Sequence, residues 1–505
     1  MKISNRSLYL LILNIVICPL LGNNSFLGFG NIETFCKLLL FLLPGLYFLS
    51  FIIDIFKNKE FKFKIDSLTI SVFLLILSLF ISLLFGIQIN FNSITNLITF
   101  CYISGFIYTI HTYTFNEKDT KKILISILIT FIIICIIGII QYAFQLDLTI
   151  NGIQKYPGAL GRIKSTMSVA TILDKYITLN LLILFYILFK SNKKNWYIYL
   201  LLVLGTITLA FTYSRSGIIT FYMISIIFMI IYLIKKQWTN GIITILLIVL
   251  LYSIPGQNYL LSSIANYANN SINKVWKELN LEFLSPINNT LSDIFIINQN
   301  ANDNNINTKP NNNTNTNTKP NSNNNNTINK KPNTNNNINT KPNTSDKKHS
   351  ISQIEPPKEN GILDDSNASR KYYQTVAKRI IQNHKISGIG IGNYNYIYKN
   401  QNVNDYIEND LPLNSKYLYP HNMYYHFTAE TGLLGLYTFI SCLIIILIKS
   451  IKNKNTLISI IFFTTICLYG TTESIFYMKD IAFWLIIVYT FLTKKVMKVI
   501  HKYYS

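Results

Sequence analysis

The chain has 505 residues, half of them apolar, and carries 45 Lys and Arg against 23 Asp and Glu, a formal charge of +22. The apolar residues fall in blocks of about twenty, enough to cross a hydrocarbon core of roughly 30 Å. This excludes a soluble domain and predicts an all-α polytopic membrane protein. The basic residues lie mainly in short loops between the blocks, which is the pattern of membrane orientation and not of a nucleic-acid face.

About twelve spans are expected, near 7–22, 36–56, 67–87, 93–112, 122–144, 169–189, 196–213, 217–234, 240–255, 423–448, 456–473 and 481–497. The first has no small-residue cleavage site and reads as a retained span, not a removable signal. Lysines follow every second span: Lys57 to Lys64, Lys118 to Lys122, Lys190 to Lys194, Lys235 and Lys236, Lys449 to Lys454, and Lys494 to Lys498. That alternation puts both termini in the cytoplasm. The six cysteines lie in or beside the spans without a Cys-x-x-Cys pair. Neither a disulfide framework nor a metal site is indicated.

Spans one to nine thus occupy 1–255 and spans ten to twelve 421–505, with one large extracytoplasmic loop, 256–420, between spans nine and ten. Its first part, 256–297, has apolar residues at helical spacing and suits an amphipathic helix on the outer leaflet. The second, 298–348, is nearly pure Asn and Thr with Lys-Pro dipeptides; it cannot bury enough apolar surface to order itself and reads as a disordered insert. The third, 349–420, is partly helical.

Cations that break the orientation bias need another reason to stand outside, and anion binding is the obvious one. They are Lys155, Arg162 and Lys164 between spans five and six, Arg215 between spans seven and eight, and Arg370 in the long loop. Arg215 lies in Tyr213-Ser214-Arg215-Ser216-Gly217, a tight turn whose hydroxyls suit an anion clamp; the alternative is an Arg snorkelling to lipid head groups. Asp174 and Lys175, just inside span six, neutralise each other or reach the interface. Arg370 taken alone reads as a solvated surface charge sooner than as a binding group. Gly388, Gly390 and Gly392 fail the dinucleotide spacing and read instead as a tight loop where a substrate or helix end approaches the backbone.

Pro420 to Gly435 carries the one well-placed imidazole. Pro420 suits a first helical turn, and His421, Tyr424, Tyr425, Thr428, Gly432 and Gly435 would then share a face at the mouth of span ten. The glycines would let a neighbouring backbone come close. An interfacial His and Tyr belt explains this pattern equally well. With the outer cations beside it, an electrostatic clamp for a phosphate-bearing lipid next to one general base is the economical reading.

These residues resemble the O-antigen ligase and O-antigen polymerase superfamily. His421-Asn422 followed by Gly432-Leu433-Leu434-Gly435 is similar to its His–Gly motif, and Ser214-Arg215-Ser216-Gly217 to its outer Arg turn. Arg370 with Gly388-x-Gly390-x-Gly392-x-Tyr394 resembles its outer-loop helix and glycine loop, and the Arg162 loop a weaker feature. Two positions depart from the pattern: Lys385 stands where the family has proline, and the aromatic after Arg370 is offset at Tyr372 or Tyr373. The Asn-rich insert is foreign to it.

The resemblance implies a metal-independent glycosyltransferase of the bacterial cytoplasmic (inner) membrane with an extracytoplasmic site and no cofactor. Its donor would be a glycan on undecaprenyl diphosphate and its acceptor a hydroxyl on a glycan, a lipid or a wall polymer. His421 would be the base. Arg215 and Arg370 would hold the diphosphate, with Arg162 and Lys164 as helpers and Ser214, Ser216, Asn422, Tyr425 and the glycines in support. A lipid or polysaccharide flippase is the main alternative, but it should place charges near the midplane and show internal symmetry, and neither is evident. A membrane sensor explains neither the one-sided cations nor the glycine spacing.

Overall fold

Each predicted apolar block forms a helix in the computed structural model, which describes residues 1–21, 30–57, 65–144, 162–167, 169–191, 196–254, 362–399 and 419–494. The helices are α1 (Asn5–Leu21), α2 (Gly30–Lys57), α3 (Ser67–Leu84), α4 (Phe91–Thr112), α5 (Glu117–Ala143), α6 (Ala170–Lys190) and α7 (Trp196–Phe211). They continue as α8 (Arg215–Ile234), α9 (Trp238–Ser253), α10 (Ile362–Asn383), α11 (Tyr394–Lys399), α12 (Met423–Lys452), α13 (Thr456–Thr472) and α14 (Lys479–Phe491). A single 3-10 turn, Ile475–Tyr477, joins the last two. The described residues belong to one unit, Met1–Ile264 with Pro356–Ser505. The expected amphipathic segment 256–297 and Asn-rich insert 298–348 lie outside them.

The protein is all-α and multi-pass. Seven helices (α2 to α6, α8 and α12) are long and apolar enough to cross a membrane, and five shorter apolar ones accompany them. Local chemistry sets several starts. Asp66 accepts from the backbone N–H groups of Leu68 and Thr69 at the head of α3, while Asn90 with Ser93 and Asn116 with Asp119 form capping boxes on α4 and α5. Large apolar side chains such as Phe73, Ile133 and Leu246 remain exposed on the helix flanks, as a lipid-facing surface requires.

One helix differs from the rest. In α6, 94% of the most apolar window is buried, against 39–56% for the other six long helices. α7, α8 and α13 pack around it, so its polar residues face protein and not lipid.

The helix pair α3 and α12 fixes two ends. Asp66 meets Lys449 at one, 2.9 Å apart, and the Ser82 hydroxyl donates to the Glu430 carbonyl, 2.8 Å, at the other. These are the Lys449 end and the His421 end below.

Candidate active site

α12 starts at Met423, later than Pro420, because Asn422 caps it by accepting the Tyr425 N–H at 3.1 Å. The expected continuous face from His421 to Gly435 is therefore corrected twice. His421 precedes the helix in the left-handed region (φ 47°), and Gly432 interrupts it at φ 68°. A non-glycine residue held there costs on the order of 1 kcal/mol, so the fold around His421 must impose that conformation.

The break at Gly432 is what the glycine loop fills. In an unbroken helix the Leu433 and Leu434 N–H groups would donate to the Ala429 and Glu430 carbonyls. Here those carbonyls accept from the Ile389 and Gly390 N–H groups, at 3.0 and 2.9 Å, while Leu433 and Leu434 donate to the carbonyls of Lys385 and Ile386, at 2.8 and 3.4 Å. Four bonds replace two, which matters because an unsatisfied backbone group at membrane depth costs several kcal/mol.

The neighbouring backbone anticipated at Gly432 is this loop: a Cβ on Gly432 would collide with the Ile386 carbonyl, and one on Gly388 with the Glu430 carbonyl. Gly390 and Gly392 press likewise on Gly86 and Asn92, whereas Gly435 faces its own helix at Thr431. Lys385 enters through its carbonyl, a role that side-chain identity does not affect.

The loop holds α10 against α12. Val376, Ala377, Ile380, Ile389, Tyr394, Ile397 and Ala429 form one buried cluster, with Tyr425 packed on its edge. Glu430, buried, accepts from the Tyr394 N–H at 3.1 Å and from the Tyr477 hydroxyl at 2.9 Å, tying the glycine loop to the turn after α13. The His426 ring stacks on Tyr477 with centroids 3.8 Å apart.

α10 in turn delivers Arg370. Its Nη2 stands 3.6 Å from Glu473 Oε1, and His421 Nδ1 stands 3.1 Å from Oε2 of the same carboxylate. Arg370 and His421 keep 33% and 25% of their side chains exposed while Glu473 keeps 2%. The His421 hydrogen bond and the nearby cationic side chains of Arg370 and Lys175 surround the Glu473 carboxylate and favour its ionised form. An ionised carboxylate can only accept, so His421 donates its Nδ1–H to Glu473, and in the neutral imidazole the Nε2 lone pair is then the one left open. Nε2 makes no hydrogen bond among the described residues.

The second group of cations assembles at the same end around α6. Asp174 Oδ2 accepts from the Ser214 and Ser216 hydroxyls, the latter at 3.0 Å, and its Oδ1 lies 3.4 Å from Lys175 Nζ. Gly217 leaves room for the Asp174 side chain, which a Cβ there would strike at 2.6 Å. The two hydroxyls are thus occupied by Asp174 in this structure and pin the turn that begins α8.

Arg215 is the first residue of that helix, half-buried and without an ion pair or hydrogen bond among the described residues. Arg162 Nε donates to the Thr212 carbonyl at 2.9 Å, which seats it beside the same turn. The Lys164 backbone donates to the Gln141 side chain at 3.0 Å. Lys175 links the two groups: it acts on Glu473 and stands 5.1 Å over the Tyr469 ring. His421, Arg370, Arg215 and Arg162 accordingly occupy one end of the helix layer.

Glu473 and Glu430 were not singled out by sequence reasoning. The available signal was a carboxylate closing an apolar segment at the end opposite the lysines. Among the described residues no group of three or more His, Cys, Asp or Glu is placed to hold a metal ion.

Residues 200–440 match the family model described as O-antigen ligase. The chain contains an O-antigen ligase-type domain. The matched stretch takes in Arg215, Arg370, the glycine loop, His421, Gly432 and Gly435, and leaves out Arg162, Lys164 and Glu473. No curated protein matches the chain. The domain match supports a membrane protein of a superfamily acting on glycans.

Proposed function

We propose that this protein transfers a glycan from undecaprenyl diphosphate to an acceptor hydroxyl at the outer face of the bacterial cytoplasmic membrane, without a metal or cofactor. In this reading the five shorter apolar helices also cross the bilayer, both termini are cytoplasmic, and the His421 end is extracytoplasmic. The observation that carries it is an imidazole with an open Nε2 beside Arg370, at the end of the bundle that also bears Arg215 and Arg162.

The acceptor hydroxyl gives its proton to His421 Nε2 while its oxygen bonds to the anomeric carbon of the donor sugar. The bond from that carbon to the phosphate oxygen breaks, and its electron pair stays on the lipid diphosphate. A sugar hydroxyl is a weak nucleophile, so a base contributes about 10²–10⁴-fold. The leaving diphosphate gains charge, which Arg215 and Arg370 stabilise because guanidinium stays ionised and binds phosphate oxygens in pairs. Arg162 and Lys164 assist. Asn422 caps α12 behind the base.

Purified protein in detergent micelles, given labelled lipid-linked glycan and acceptor, tests this. Transfer in the absence of any bilayer to cross excludes a pure flippase. Full transfer by both His421→Ala and Arg215→Ala would sink the scheme.

A further inference from the structure

We propose that Glu473 is the positioning residue of the base: it fixes the tautomer and orientation of His421, stabilises the imidazolium that forms on proton uptake, and ties the base to Arg370. This rests on the reading of His421 as the base and adds to it a residue outside the matched stretch 200–440.

A buried carboxylate with no local use is rare, and this one has none. Among the described residues Glu473 makes no bond from its side chain to backbone; its two oxygens go to His421 and Arg370, one each. Its own backbone is anchored on both sides. The Glu473 N–H donates to the Tyr469 carbonyl at 3.0 Å, and the turn that follows is held through Tyr477 to Glu430. His421 meanwhile sits in a left-handed conformation that a solvated loop residue has no reason to keep. A rigid acceptor opposite a strained imidazole is the arrangement by which one ring nitrogen is committed and the other left to react.

The charges facing the pair are specific. From α10 comes Arg370, and from α6 comes Lys175, itself 3.4 Å from Asp174. Tyr419 and Tyr373 lie beside the imidazole, with ring centroids 4.4 and 6.5 Å away. With Glu473 neutralised, His421 would face Arg370 and the Lys175–Asp174 pair without a counter-charge. Its imidazolium would then be disfavoured.

The test is Glu473→Gln beside Glu473→Asp and His421→Ala, in the micelle transfer assay across pH. Glu473→Gln is expected to lose about tenfold to hundredfold in kcat, part of the ~10²–10⁴ that a base supplies, with KM little changed. Its acidic limb should move to lower pH. Glu473→Asp keeps the charge and should keep the limb near its original position while losing less rate.

Histidine-selective NMR titration gives the same comparison without turnover: the His421 imidazole should titrate lower in Glu473→Gln. Should Glu473→Gln fail to fold, the Glu473→Asp limb and titration decide. An inactive His421→Ala beside a Glu473→Gln enzyme of unchanged rate and limb overturns the positioning role alone, as would a displaced limb in Glu473→Asp if that variant is the one read. An active His421→Ala overturns the base assignment beneath it.

Discussion

Both ends of the bundle carry a carboxylate flanked by a histidine and a cation, and the two triplets do different things. At the Lys449 end, Asp66 accepts from His111 Nε2 at 2.7 Å and Lys449 Nζ at 2.9 Å, and in addition caps α3 through the Leu68 and Thr69 N–H groups. Nearby, Asp54 is enclosed by Ser4, Ser7, Tyr113 and Arg6. These carboxylates hold helices in place. At the His421 end the Glu473 side chain caps no backbone group among the described residues, and its partners present open faces. A buried carboxylate thus acts as glue when its lone pairs close on backbone and fixed donors. It becomes part of a site when it orients groups that still have a valence free.

The sharpest way to break the comparison is to delete one histidine at each end. His421→Ala should lower transfer by about 10²–10⁴-fold, whereas His111→Ala should leave the rate per folded molecule within about threefold. Equal losses would mean the two triplets share one role.

Gly432→Ala attacks what joins α12 to the glycine loop. The left-handed backbone alone should cost at least ~1 kcal/mol, and the collision with Ile386 adds to it. A lowered thermal midpoint in micelles should therefore accompany lost transfer; an unchanged midpoint would refute the tight junction.

Asp66→Asn should reduce stability by about 1–3 kcal/mol, since it removes charged hydrogen bonds, while the rate per folded molecule stays constant. For Asp66, burial raises the carboxyl, but the Thr69 N–H, Lys449 and His111 together hold it well below its usual value. A depressed folded value means stability that is complete above the unfolded pKa of about 3.9 and drains away as pH falls toward the folded one. The variant should accordingly show a flatter acid-unfolding limb below about pH 4. A limb identical to the parent's would contradict this.

The smallest effect expected is for Arg215→Lys. Losing the planar fork should cut transfer by about tenfold with no change in thermal midpoint, because Arg215 has no partner among the described residues to lose. A falling midpoint would move Arg215 into the structural class.

Helix positions were legible because apolar periodicity and caps are local. Asn90, Asn116 and Asp66 each act within three residues of where they stand. The cations of the His421 end were legible because they break a charge alternation. What the periodicity misjudged is the entry to α12, where Asn422 outcompetes Pro420 as the start signal and Gly432 cuts the helix that the spacing had drawn as continuous. Ser214 and Ser216 read as anion donors, yet Asp174 takes both hydroxyls, a contact across about 40 residues that no local pattern announces.

By itself the sequence determined an all-helical membrane chain, the recurrence of lysines after every second apolar block, and the residue types that chemistry at a phosphate-bearing lipid would need. Only the tertiary structure decided that Glu473, 52 residues from His421, lies between that imidazole and Arg370, and that the glycine loop completes a broken helix. The physical reason is range. Caps and hydropathy act within a turn or two, while convergence of charges depends on how whole helices pack, which pairs groups far apart in the chain.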